Sequence, residues 1–156
     1  MPARLLKEYL DREHVHCTRI PHLTAYTAQE IASLTHTPGE EMAKTVMVKI
    51  DGSLVMAVLP ASFRIDLGLL RAATRAGQVE LVGEADFKHL FPDCETGAMP
   101  PFGNLYHNPV LVDSHLTRDE EIAFNAGRHD EVVRMRYRDF NRLVKPEVVE
   151  MAASAH

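Results

Sequence analysis

The chain has 156 residues, 46% of them apolar and 25% charged, and a formal net charge of −5. A chain of this length fits one domain that buries roughly two-thirds of its unfolded surface, so it needs no covalent or metal staple to fold. The acidic balance argues against broad, sequence-independent binding to nucleic-acid backbone, so no DNA partner is expected. It leaves room for a protein that handles only the end of an RNA.

Two cysteines, Cys17 and Cys94, are too few for a disulfide scaffold and have no zinc spacing; reduced thiols in a cytoplasmic protein are expected. Met1 to Leu5 carries no signal-peptide core, and no apolar run approaches the roughly 20 residues of a membrane span. No membrane partner is expected.

Leu5, Leu6, Tyr9 and Leu10 form an apolar stripe that predicts a helix over residues 3–14. An extended piece, His16 to Ile20, ends at Pro21. Thr27 and Glu30 have the spacing of a capping box ahead of Ile31 and Leu34. Residues 44–60 read as a hairpin: Val46, Val48 and Ile50 alternate with Thr45, Met47 and Lys49, and Asp51-Gly52 is a favoured tight turn. Leu54 to Leu59 is apolar on both faces and belongs in the middle of a sheet. Asp66 is placed to cap a helix bearing Leu67, Leu69, Leu70 and Ala73. A short strand, Val79 to Val82, precedes a short helix, Glu84 to Phe91. Strands follow at Val110 to Asp113, Glu121 to Asn125 and Val132 to Tyr137, and a last helix at Arg138 to Val144. Hairpins dominate, with helices interspersed. The predicted class is α+β: a single compact domain over residues 1–146, with a curved, mixed, mostly antiparallel sheet surrounded by helices. Residues 147–156 read as a C-terminal tail.

Four features carry possible chemistry. The loop Gly97-Ala98-Met99-Pro100-Pro101-Phe102-Gly103 is stiffened by two prolines and bounded by glycines; it is either a plain connection or a rigid cradle for a ligand. Lys44 begins an apolar strand. It is either a solvated edge residue or a charge at the mouth of a pocket. His129 lies between two strands and is a proton donor, a hydrogen-bond donor or a bystander. Arg134, Arg136 and Arg138 share a strand face, either as a solvated surface or as a contact for RNA phosphates. The nine histidines show no metal-ligand spacing, so neither metal nor other cofactor is expected. No nucleophile elbow or phosphate-binding loop appears.

The segments Ala43-Lys44-Thr45-Val46-Met47-Val48-Lys49, Ala57-Val58-Leu59-Pro60-Ala61, Gly97 to Gly103, and Glu121 to His129, in that order, resemble the YbaK/EbsC family. That family comprises trans-editing proteins and the editing insertion of prolyl-tRNA synthetases. The resemblance runs from about Thr27 to Lys145. It implies a hydrolase of the ester of mischarged aminoacyl-tRNA, with Lys44 and Gly97 as the catalytic positions. It implies that Pro100 is the proline of the family's loop and that His129 matches the histidine of the synthetase insertion; Phe102, Gly103, Val46 and Ile122 are further expected substrate-binding residues, the apolar side chains as pocket lining. Alanine or cysteine on tRNA(Pro) are the expected substrates. The expected partners are the aminoacyl-CCA end and a prolyl-tRNA synthetase or elongation factor. The rival expectation is an inactive module that only binds aminoacyl-tRNA ends.

Overall fold

The computed structural model describes residues 3–154. Helix α1 (Arg4–Arg12) buries Leu6 and Leu10 and turns Lys7, Glu8 and Asp11 to solvent. Strand β1 (Cys17–Pro21) follows. Helix α2 (Ala28–Leu34) begins where the Thr27 hydroxyl accepts from the Glu30 N–H at 3.1 Å, as the capping spacing predicts. Strands β2 (Met42–Ile50) and β3 (Ser53–Pro60) pair along their whole length, from Ala43 against Pro60 to Ile50 against Ser53. Their turn residues Asp51 and Gly52 have φ of 50° and 84°, the left-handed pair a two-residue hairpin needs. After β4 (Phe63–Ile65), Asp66 accepts from the Leu69 N–H at 3.0 Å and starts helix α3 (Leu67–Thr74).

Beyond β5 (Val79–Leu81), the stretch expected as one helix is two 3-10 turns, Glu84–Asp86 and Lys88–Leu90. Pro92 keeps Phe91 out of the helical region, and Phe87 and Phe91 both turn inward and meet edge to face. Strands β6 (Val110–Asp113), β7 (Glu121–Asn125) and β8 (Glu131–Arg136) lead to helix α4 (Tyr137–Val144).

Residues 147–154, set apart as a tail on sequence, are instead part of the fold. β9 (Glu147–Val149) lies parallel to β6, and β10 (Ala152–Ser154) pairs with β4. The anchor is Asp113, wholly buried, whose Oδ1 accepts from the Met151 and Ala152 N–H groups at 3.0 Å each. That carboxylate is distant in sequence, so no local pattern in the tail reveals its partner.

The main sheet has eight strands in the order β1-β8-β7-β2-β3-β6-β9, with β5 also paired to β2. It is mixed: β2 with β7, β3 with β6 and β6 with β9 run parallel, and the other pairs are antiparallel. This is the expected α+β class. β3 is apolar on both faces because it is central; Met56, Ala57, Val58 and Leu59 are all fully buried. One face carries the large core of Phe102, Phe124, Phe140, Val58 and Val112. The other is covered by α2, through Ile31 and Ala32 on Met42 and Ala123, and by α3, through Leu70 on Val48 and Ala57. Each large side chain so buried contributes about 1.5–3 kcal/mol.

Candidate functional site

Strand β2 is paired by β3 along one edge, but its other edge is shared by two strands. β7 covers Met42 and Ala43, and β5 covers Val48 to Ile50, with Val82 N–H adding a bond to the Met47 carbonyl. Lys44, Thr45 and Val46 lie in the gap between them. All three are half-buried and have no strand partner on that edge.

Alternation sets where Lys44 points. Ala43 and Met47 face the Phe102 core; Met42, Val46 and Val48 face α2 and α3. Lys44 shares that second face, between the two covering helices. It is half-buried, and burial lowers its ammonium below the ordinary lysine value. One step beyond the Ala43–Phe124 pair stand Lys44 and Asn125, on the same face of adjacent parallel strands. The Asn125 Oδ1 is buried and has no hydrogen-bond partner among the described residues.

The Gly97 loop approaches the same end of β7. Ala98 N–H donates to the Glu95 carbonyl at 3.0 Å, closing a four-residue turn in which Gly97 is third, with φ of 88°. That position of a type II turn requires positive φ, hence glycine. The turn is clamped to Gly127 by two backbone bonds, Glu95 N–H to the Gly127 carbonyl (2.7 Å) and Gly127 N–H to the Ala98 carbonyl (2.9 Å). Beneath it lies His129, only 7% exposed, whose Nε2 is 2.9 Å from the Thr96 carbonyl. A carbonyl only accepts, so Nε2 carries a proton. The Thr96 and Gly97 N–H groups have no partner among the described residues. Both residues are exposed.

The other expected residues divide. Pro100 and Pro101 are buried and hold the loop rigid. Val46 is half-buried beside Lys44 on the side of α3. Phe102 and Ile122 are 0% and 1% exposed. Phe102 packs against Tyr9, Phe124 and Phe140 on the opposite face, so neither side chain has surface to offer a ligand. Gly103 serves packing: a Cβ there would come within 2.8 Å of the Asn108 carbonyl and of Val110. The arginine row is also broken. Arg134 donates to the Thr37 hydroxyl at 2.8 Å, Arg136 precedes α4, and Arg138 is already within it.

Two neighbours of the site escaped the sequence reading. Tyr26 is 72% exposed, yet its ring centroid is 4.8 Å from that of His129. The Ala25 N–H bonds the His129 carbonyl at 3.0 Å, so the segment before α2 is tied over the site. Asn125 is the second. Tyr26 stands just ahead of the Thr27 cap, where an aromatic reads as an ordinary flanking residue.

Burial pushes the Cys94 thiol up to about 12 and raises that of Cys17, so neither is a poised nucleophile. No group of three or more His, Cys, Asp or Glu among the described residues is placed to hold a metal ion. None of their helices is long and apolar enough to cross a membrane.

Comparison with known proteins gives this geometry a context. The aminoacyl-tRNA editing domain family matches residues 22–143. The multifunctional Ser/Thr-tRNA deacylase ProXp-y of Escherichia coli K12 is 28% identical over 145 residues, covering 87% of this chain and 84% of that protein. Among solved structures, hypothetical protein APE2540 superposes with a TM-score of 0.85 at 17% identity, over 96% of this chain and all of that one. A proposed trans-editing enzyme for prolyl tRNA synthetase superposes with a TM-score of 0.82 at 18% identity, over 97% of each chain. These last two likenesses establish the fold. The family match spans most of the chain, so the protein belongs to the aminoacyl-tRNA editing domain family and is an enzyme acting on aminoacyl-tRNA.

Proposed function

We propose that this chain hydrolyses the ester of tRNA charged with a small, wrong amino acid, using positioning and substrate-assisted attack by water. The observation that carries the reading is the clamped Gly97 turn, with its two free N–H groups, at the end of the strand beside Lys44. Water attacks the ester carbonyl carbon, and the turn's N–H groups stabilise the oxyanion. The bond from that carbon to the ribose oxygen then breaks, and the ribose oxygen takes the proton that the water gives up. The neighbouring ribose hydroxyl orients the water. Lys44 holds the terminal phosphate or ribose and so aligns the ester. An aminoacyl ester is already activated, so positioning of this kind, which contributes several kcal/mol, is sufficient.

Serine and threonine come first as the amino acid removed, because the 28% identical relative is named for them. Alanine or cysteine on tRNA(Pro) is the second reading, supported by the Gly97 loop and His129. A net charge of −5 fits a domain that grips only the CCA end, with tRNA choice supplied by a prolyl-tRNA synthetase or elongation factor. The test is loss of the aminoacyl ester from Ser-, Thr-, Ala- and Cys-charged tRNA, with Pro-tRNA(Pro) as the cognate control. Hydrolysis of at least one mischarged species with sparing of Pro-tRNA(Pro) supports the reading. Binding of a non-hydrolysable aminoacyl-adenosine without turnover of any of them would establish the binding module instead.

A further inference from the structure

A cavity lies at the C-terminal end of β3, where Pro60 pairs with Ala43, and neither Lys44 nor Gly97 lines it. It has a volume of about 160 Å3 and is lined by Glu40, Pro60, Phe63, His115, Arg118 and Asp119. A cavity near 150 Å3 takes a ligand of benzene's size, which is also the size of a small free amino acid.

Its walls are organised by a wholly buried carboxylate. Asp113 Oδ2 accepts from the His115 N–H at 3.0 Å and from its Nδ1 at 2.7 Å. A carboxylate only accepts, so Nδ1 carries a proton and the ring is held with Nε2 away from Asp113. The ring is also fixed against Phe63, with centroids 4.5 Å apart. Around this oriented imidazole the cavity has two unlike polar ends. Arg118 makes no ion pair among the described residues. Opposite in charge, Glu40 and Asp119 supply carboxylates. Burial and the nearby Glu41 and Glu40 push the Asp119 carboxyl up to about 6, as expected where negative charge crowds without a counter-cation.

We infer that this cavity binds a small zwitterionic α-amino acid. Its ammonium bonds Asp119 and Glu40. Its carboxylate pairs with Arg118, and its side chain rests on Pro60 and Phe63. A simple cation would leave Arg118 unmatched, and a simple anion would leave Asp119 unmatched. The inference stands apart from the deacylase reading, since binding requires no ester and an inactive protein can still show it.

NMR titration of the whole chain with L-alanine, following the His115 and Phe63 ring signals, tests it. His115→Gln identifies the imidazole signal. The expected result is saturable shifts of both rings, with binding weakened about tenfold or more in Arg118→Ala and in Asp119→Asn. N-acetyl-L-alanine, which lacks the ammonium, and L-alaninamide, which lacks the carboxylate, are expected to bind correspondingly weakly. No shift with L-alanine overturns the inference. So does equal binding of alaninamide, which marks a plain cation site, or of N-acetylalanine, which marks a plain anion site. Undiminished binding by both variants while their thermal unfolding matches the parent also overturns it.

Discussion

The Nε2 of His129 lies 2.9 Å from the carbonyl oxygen of Thr96, so a buried imidazole on the β7–β8 connection holds the turn that carries Gly97. Removing that bond in His129→Ala should destabilise the protein by about 1 kcal/mol. The larger effect is local: amide exchange at residues 96–98 should quicken, and kcat should fall more than KM changes. His129→Gln keeps an N–H donor and should sit closer to the parent. Unchanged exchange at these amides in His129→Ala would contradict a clamping role.

Gly97 cannot be replaced without backbone strain. Its φ is 88°, while a Cβ would meet His129 Cε1 at 3.6 Å, an ordinary contact. Gly97→Ala is therefore expected to lose about 1 kcal/mol of stability through φ alone, and to lose activity because the turn's N–H groups shift. A circular dichroism melt beside a deacylation rate separates the two. Parent-like activity in Gly97→Ala would remove the turn from the chemistry.

Lys44 carries its charge at a cost in stability. Burial lowers its pKa below the ordinary 10.5, so the folded protein binds that proton less readily than the unfolded chain. The destabilisation is fully present below the folded-state value and fades as pH rises toward 10.5. Lys44→Met keeps the apolar stem and removes the charge. It should be more stable than the parent at neutral pH, and the difference should shrink as pH climbs through that window. Equal stability at neutral pH would show that the lysine is solvated after all.

Asp113 accepts four hydrogen bonds: two, from Met151 and Ala152, tie the C-terminal strands to the sheet, and two come from the neighbouring His115. In Asp113→Asn the amide group faces donors, leaving at least one unmatched, and hydrogen bonds to a charged acceptor are worth about 1.5–3 kcal/mol each. A loss of about 3 kcal/mol or more is expected, with early proteolysis near residues 147–154. A variant that melts like the parent would mean that β9 and β10 hold without the anchor.

Local signals were legible in the sequence and distant ones were not. The Thr27 and Asp66 caps and the Asp51-Gly52 turn depend on residues within a few positions, and each forms as its chemistry predicts. The motif segments also identified the family, and they placed Lys44, Gly97 and His129 as expected site positions. Spacing could not reveal that Phe102 and Ile122 turn into the opposite core, because the facing of a loop residue, and which face of a strand meets the core, depend on distant partners. Nor could it reveal β10, whose partner is the short strand β4. Asn125 reads as the end of a strand until the parallel pairing sets it beside Lys44.

The most direct measurement is the single-turnover deacylation rate of a mischarged tRNA by the parent, Lys44→Ala and Gly97→Ala, each shown to be folded. The expected result is hydrolysis by the parent, a fall of about a hundredfold or more in Gly97→Ala, the loss seen when one oxyanion donor is removed, and a comparable fall in Lys44→Ala through lost alignment of the ester. Full activity in both variants would contradict catalysis by Lys44 and the Gly97 turn.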